Sequence, residues 1–206
     1  GMAAVYGAEA GLTVAQISML MAAIYTGGLI AQWPIGWLSD RMDRRTLIVA
    51  CCVAGLIAAA AAATGPGFPV LLALAAMIGG VANPLYSLMI AHTNDFLQPQ
   101  DMASASGGLL FLNGVGAVSG PIAVGALMEA FGPPAFFAYM GGLFAMIALY
   151  GLWRMTRRAA TPVEEQGAFA PILPSATPVA LEIVTELAAE QQAAAEQHGE
   201  GDAKSA

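Results

Sequence analysis

Gly36-Trp37-Leu38-Ser39-Asp40-Arg41-Met42-Asp43-Arg44-Arg45 is a charged turn set between two long apolar runs. Three of the chain's seven basic residues, Arg41, Arg44 and Arg45, fall inside it. Arg154, Arg157 and Arg158 follow the last apolar run, and Lys204 near the C-terminus is the seventh. Cations gathered at such boundaries and absent from the apolar runs mark a chain threaded through a bilayer, and their placement also sets its orientation.

Composition agrees. The 206 residues are 58% hydrophobic and 10% charged, with a mean hydropathy of +0.68, far from the usual soluble mixture. A hydrocarbon core of about 30 Å needs about 20 apolar residues in helical form. Backbone facing lipid must satisfy its own hydrogen bonds, so helices are expected throughout. The reading is an all-α integral membrane bundle over residues 14–154, with spans near 14–38, 46–64, 69–91, 104–128 and 134–154. Thr13-Val14-Ala15-Gln16 opens the first span as a capping box. Residues 1–13 are apolar but too short to span, and read as an outer stub that ends a truncated preceding helix. The chain is then the C-terminal part of something longer.

Orientation follows from the loops. The turn at 39–45 is basic, the one at 64–69 carries no charge, and the turn near 129–133 carries only Glu129. Basic residues favour the cytoplasmic side, which puts the 39–45 turn, the 92–103 loop and the C-terminus inside and the stub outside. The net charge of −7 comes largely from the tail over 155–206 and gives no reason to expect a nucleic-acid partner. Thr177 as cap and Pro178 at the first helical position predict a short helix near 178–197, with Leu181, Val184, Leu187 and Ala188 as a thin apolar stripe. Its acidity disfavours an anionic membrane surface, leaving docking on the basic loops or disorder.

Gly36, Asp40, Arg41, Arg44 and Arg45 resemble the inner-loop signature of the major facilitator superfamily, with Asp43 standing where that pattern has a second glycine. Gly116-Ala117-Val118-Ser119-Gly120-Pro121 followed by Gly125 resembles the Gly-Pro helix motif of the same superfamily. The stretch Ala91 to Asp95, then Leu109-Leu110, Gly114 and Gly116, and the tail from Phe169 to Pro178 are similar to one bacterial subgroup of unassigned substrate. The resemblance covers nearly the whole chain and implies the end of the seventh span through the twelfth of a twelve-span carrier. It therefore implies a helical transporter half-bundle of five complete spans with a cytoplasmic tail, in a bacterial inner membrane. The partners implied are the lipid bilayer, a missing N-terminal half and a small-molecule solute moved by alternating access.

The residues support specific roles. Gly36 lets a neighbouring helix approach closely, and Asp40 suits a helix N-terminus, whose free amides favour a carboxylate. In the family picture that terminus is the start of the fourth span near Met102 to Ser106, making Asp40 a gate latch. The alternative for the arginines is an ordinary orienting loop. Gly116, Gly120, Pro121 and Gly125 read as a helix-packing hinge, and Gly79-Gly80 with Asn83-Pro84 as a second weak point. Polar residues within spans are candidates for a solute path: Tyr25, Gln32, Asn83, Tyr86, Ser87 and Asn113. Interhelical hydrogen bonding is the competing explanation for each.

Cys51 and Cys52 read as two small hydrophobes, and His92 with Asp95 as part of a solvated loop. No acidic residue lies deep in a span, no phosphate-binding glycine loop is present, and no catalytic group, cofactor or metal is assigned. An enzyme is not expected. The alternatives to a carrier are a non-transporting membrane scaffold or receptor-like protein of the same fold, and an inactive truncated fragment.

Overall fold

The computed structural model describes residues 1–94 and 102–157. Within them the chain is helical: α1 Met2–Glu9, α2 Val14–Ser39, α3 Arg44–Ala63, α4 Phe68–Asn94, α5 Met102–Phe131 and α6 Ala135–Met155. Five of these, α2 to α6, are long and apolar enough to cross a membrane. The tail helix expected near 178–197 lies outside the described residues, as do Asp95 and Asp101.

The turns at the two ends of the bundle are built differently. At the α1–α2, α3–α4 and α5–α6 turns, Gly11, Gly65 and Gly132 take φ of 74°, 70° and 80°. A glycine in this left-handed region just past a helix end lets the chain turn back without a Cβ clash. Thr13 then starts α2 with both halves of the capping box: Gln16 N–H donates to the Thr13 hydroxyl (3.3 Å) and Thr13 N–H donates to Gln16 Oε1 (2.9 Å). At the opposite end, the α2–α3 turn contains no left-handed residue. There Asp40 is the C-cap of α2, and Asp43 is the N-cap of α3, its carboxylate accepting from the Arg45 N–H at 3.0 Å. The aspartate that departs from the family pattern is therefore a helix cap, which takes over the turn by side-chain hydrogen bonding.

Packing is densest where side chains are smallest. A Cβ placed on Gly27 of α2 would overlap the Ala76 carbonyl of α4, and one on Gly79 of α4 would overlap the Ile24 carbonyl of α2. Asn83 of α4 rests on Gly28, again with no room for a methyl. The two backbones touch, an arrangement open only to glycine and stabilised by dispersion and weak Cα–H···O contacts. On the other side of the bundle α3 packs on α4 and α6, where the Phe144 ring sits on Gly55 and Val49 on Gly151. Cys51 and Cys52 lie buried in that core as free thiols. Tyr6 of α1 stacks on Phe136 (5.5 Å) and meets Phe137 edge-on (4.7 Å), tying the first helix to α6.

α5 is held differently. Its buried residues Val124 and Met128 lie in its second half, and Phe111, Leu112, Val115, Val118 and Ile122 are exposed. Gly116 and Gly120 have no atom within reach of a Cβ, and Gly125 meets only the tip of Met2 at 3.8 Å. Among the described residues the glycines in backbone contact are thus those of α2 and α4, and those of α5 meet no close neighbour.

Gly79→Ala and Gly27→Ala are each expected to cost about 1–3 kcal/mol, because the clash is with backbone that cannot rotate away. Gly142→Ala, on open surface of α6, is expected to be neutral or slightly stabilising. Thermal unfolding of the detergent-purified full-length protein separates the two classes. A Gly79→Ala protein as stable as Gly142→Ala would mean that the backbone contact between α2 and α4 is not made.

Candidate gate and polar seam

Arg44 is the centre of the charged turn. It begins α3 with its side chain only 1% exposed, directed across the ends of two other helices. Nε donates to Ser39 Oγ at 3.1 Å, Nη1 to the Ala91 carbonyl at 3.4 Å, and Nη2 lies 3.7 Å from Asp40 Oδ1. Ser39 is itself fully buried. One guanidinium therefore joins the end of α2, the start of α3 and the last turns of α4. A cation is also favoured there by the partial negative charge of the carbonyls at a helix C-terminus. Its planar fork suits three acceptors at once better than the point charge of lysine.

The other two arginines do different things. Arg41 is exposed; its guanidinium lies 4.2 Å from the Trp37 ring centroid and donates to the Trp37 carbonyl at 3.2 Å. The backbone N–H of Arg45 is the donor to the Asp43 cap. Gly36 is buried, as close helix approach requires. Asp40, with Arg44 on one side, keeps 43% of its side chain exposed. The latch partner expected near Met102 to Ser106 lies outside the described side chains at 102–104 and 106.

Gly36, Asp40 and Arg41 share an open groove of ≈ 460 Å³ with Gln32. Leu29, Trp33 and Trp37 complete its walls, and all three are exposed, Trp33 at 79%. The structure thus joins the turn residues to one path candidate. A second grouping follows from the α2–α4 contact. Tyr25, Gly28 and Gln32 lie on one face of α2 at steps of three and four, and Asn83 sits on Gly28. Tyr25, Gln32 and Asn83 therefore line one seam, with Tyr86 a turn further along α4 and Ser87 buried. Asn113 stands apart, since α5 makes its contacts with α6 and α1. Gln32, Asn83 and Asn113 form no side-chain hydrogen bond among the described residues. The interhelical bonds that would explain them as packing groups are not made among the described residues.

Ser39 and the Ala91 carbonyl were not singled out by the sequence. Ser39 lay within the motif but carries no charge, and a backbone acceptor leaves no residue-type signal.

The Major Facilitator Superfamily model matches residues 1–190, and the chain belongs to that family. Among curated proteins it is similar to the uncharacterized MFS-type transporter YfkF of Bacillus subtilis, 26% identical over 152 residues, covering 72% of this chain and 37% of that protein. An uncharacterized MFS-type transporter of Yersinia enterocolitica is 28% identical, covering 79% of this chain and 41% of its own length. YcaD of Escherichia coli, also an uncharacterized MFS-type transporter, is 25% identical over 79% of this chain and 42% of its own. The chain therefore spans about two fifths of the length of these relatives, and is a multi-pass membrane protein of a transporter family.

Replacing Arg44 by Met is expected to cost about 2–3 kcal/mol, since hydrogen bonds to a charged group contribute about 1.5–3 kcal/mol each and Ser39 is left buried without its donor. Arg41→Met should cost less than about 1 kcal/mol, the range of an exposed cation–π contact. Unfolding midpoints of the two variants measure the difference. Equal midpoints would show that burial of Arg44 contributes nothing.

Proposed function

We propose that this chain forms the C-terminal half of a secondary carrier that moves a small solute across the bacterial inner membrane by alternating access, with the arginine-bearing turns and the C-terminus on the cytoplasmic side. The observation that carries this reading is the set of amides at Gln32, Asn83 and Asn113 in apolar helices without side-chain hydrogen bonds among the described residues. A polar group left bare in a membrane-spanning segment is costly unless it faces water, solute or another part of the protein. Family membership supports the same reading. The exposed apolar faces of α2 and α5 fit a second half-bundle placed across the solute path, as pseudo-symmetric carriers require.

In this scheme Asp40 is the gate element. Arg44 lies against its carboxylate from one side, 3.7 Å from Oδ1, and leaves part of it exposed toward the groove. The arrangement suits a contact that forms in one conformation and breaks in the other. Gly116, Gly120, Pro121 and Gly125 serve α5, which is fastened to its neighbours near one end and whose Pro121 removes a backbone donor midway.

Two variants of the full-length carrier test the scheme. Asp40→Asn, which keeps the shape and loses the charge, is expected to slow solute exchange about 5–30-fold while membrane insertion is unchanged. That factor corresponds to losing roughly 1–2 kcal/mol at a helix terminus. Gln32→Leu and Asn113→Leu are expected to change which solutes are accepted, measured by competition for uptake into cells. Wild-type exchange in Asp40→Asn would remove the latch. Altered stability with unaltered selectivity at both amides would favour a non-transporting scaffold of the same fold.

A further inference from the structure

α2, α4 and α6 end on the same side of the bundle, the side where α3 begins. The contact of Val49 on Gly151 brings the first turns of α3 beside the last turns of α6. Arg45 lies one turn from Val49 and Arg154 one turn from Gly151, both toward that end, so Arg45 and Arg154 are neighbours on a basic end of the bundle that Arg41 and Arg157 share. Three of its cations carry charge that no carboxylate offsets. Arg41 rests on the Trp37 ring, Arg157 lies 5.9 Å from the Trp153 centroid, and neither they nor Arg154 form an ion pair among the described residues. Asp40 and Asp43, the acids of this end among the described residues, lie against Arg44 and the Arg45 N–H.

The chain leaves this face at Arg157 and continues for 49 residues that hold eight acidic and two basic side chains. Glu182, Glu186 and Glu190 recur at every fourth position, the spacing that would put three carboxylates on one side of a helix. We propose that this acidic segment of the chain's own tail docks on the basic face, its glutamates pairing with Arg41, Arg154 and Arg157. Sequence, length and attachment point support this occupant over a separate partner. The tether begins at the face itself, and a coil of about 30 residues reaches about 30 Å end to end, which keeps the effective concentration high. The docking site so defined lies on described residues at the end of the bundle. It holds as a contact whether or not the chain transports a solute.

Spin labels at Thr156→Cys and Ala189→Cys in the full-length protein, reconstituted in nanodiscs of zwitterionic lipid, read the contact by distance. At about 50 mM salt a narrow, short distance is expected. It should give way to a broad distribution centred near about 30 Å at 1 M salt, where the screening length falls to about 3 Å. Glu182→Gln, Glu186→Gln and Glu190→Gln combined should release the tail at low salt, as should Arg154→Gln with Arg157→Gln. A broad distribution in the unsubstituted tail at low salt overturns the proposal. So does a short distance that survives the triple substitution. Release of the tail on exchanging a third of the lipid for an anionic one would assign the face to lipid headgroups and overturn it for the native membrane. None of these readouts depends on solute flux, so failure here leaves the carrier reading untouched.

Discussion

The contact of one helix backbone on another, at Gly27–Ala76 and Ile24–Gly79, fixes the rest of this half-bundle. With no side chain between them, α2 and α4 have one register. The contacts pair residues 49 to 55 apart in sequence (Gly27 with Ala76, Ile24 with Gly79, Gly28 with Asn83), and Ser39 and Ala91, 52 apart, fall within that range. Ser39 and Ala91 are the two groups to which Arg44 donates. The level at which a buried arginine finds both a hydroxyl and a helix-end carbonyl is thus set by glycines about 18 Å away along the helix, twelve residues at about 1.5 Å each. A slip of one residue along the seam would move the Ala91 carbonyl by that rise and rotate it away. The polar seam depends on the same register, because Asn83 comes between the turns that carry Tyr25 and Gln32 only while it rests on Gly28.

Much of this was readable in advance, and the reasons differ by residue. Five apolar helices followed from run length, since the bilayer imposes a minimum length and a single element type. The start of α2 followed from Thr13 and Gln16, because a capping box is local chemistry that needs no tertiary partner. The glycines were not separable in this way. Gly116 and Gly120 have the small-xxx-small spacing of a packed interface, yet meet nothing within this half, whereas Gly27 and Gly79 meet backbone. Spacing shows that an approach is permitted, and only a partner's path makes it happen. The role of Asp43 was hidden for a related reason. In the sequence it stands only as a departure from a glycine position, while in the structure its carboxylate replaces backbone freedom with a side-chain cap.

The three arginines of the turn, alike in sequence, are fully distinct in space. Arg44 is buried and joins three helix ends, Arg41 is exposed on a tryptophan, and Arg45 contributes its backbone N–H to a cap. Orientation by positive charge would be served by any of them, since that rule counts cations near a membrane end without regard to burial. A buried arginine costs desolvation that an orienting charge does not require. Its presence therefore argues for a positional role in addition to topology, and the geometry of Ser39, Asp40 and Ala91 around it supplies one.

α2–α4 and α5 represent opposite mechanical designs in one bundle. The first pair is in backbone contact, and packing at that density transmits displacement without absorbing it. The second is held chiefly near one end and presents Phe111, Leu112 and Val115 outward with no described neighbour. Any motion that carries Gln32 must carry Asn83 with it, since both side chains belong to the α2–α4 unit. Asn113 is under no such constraint. If solute contacts both groups, its passage is coupled to the relative movement of α5 against a rigid pair, and the charged turn lies at the end of that pair. Arg44 extends the rigid unit to the start of α3, so the turn between α2 and α3 has little freedom of its own, and Asp40 is presented from a fixed support.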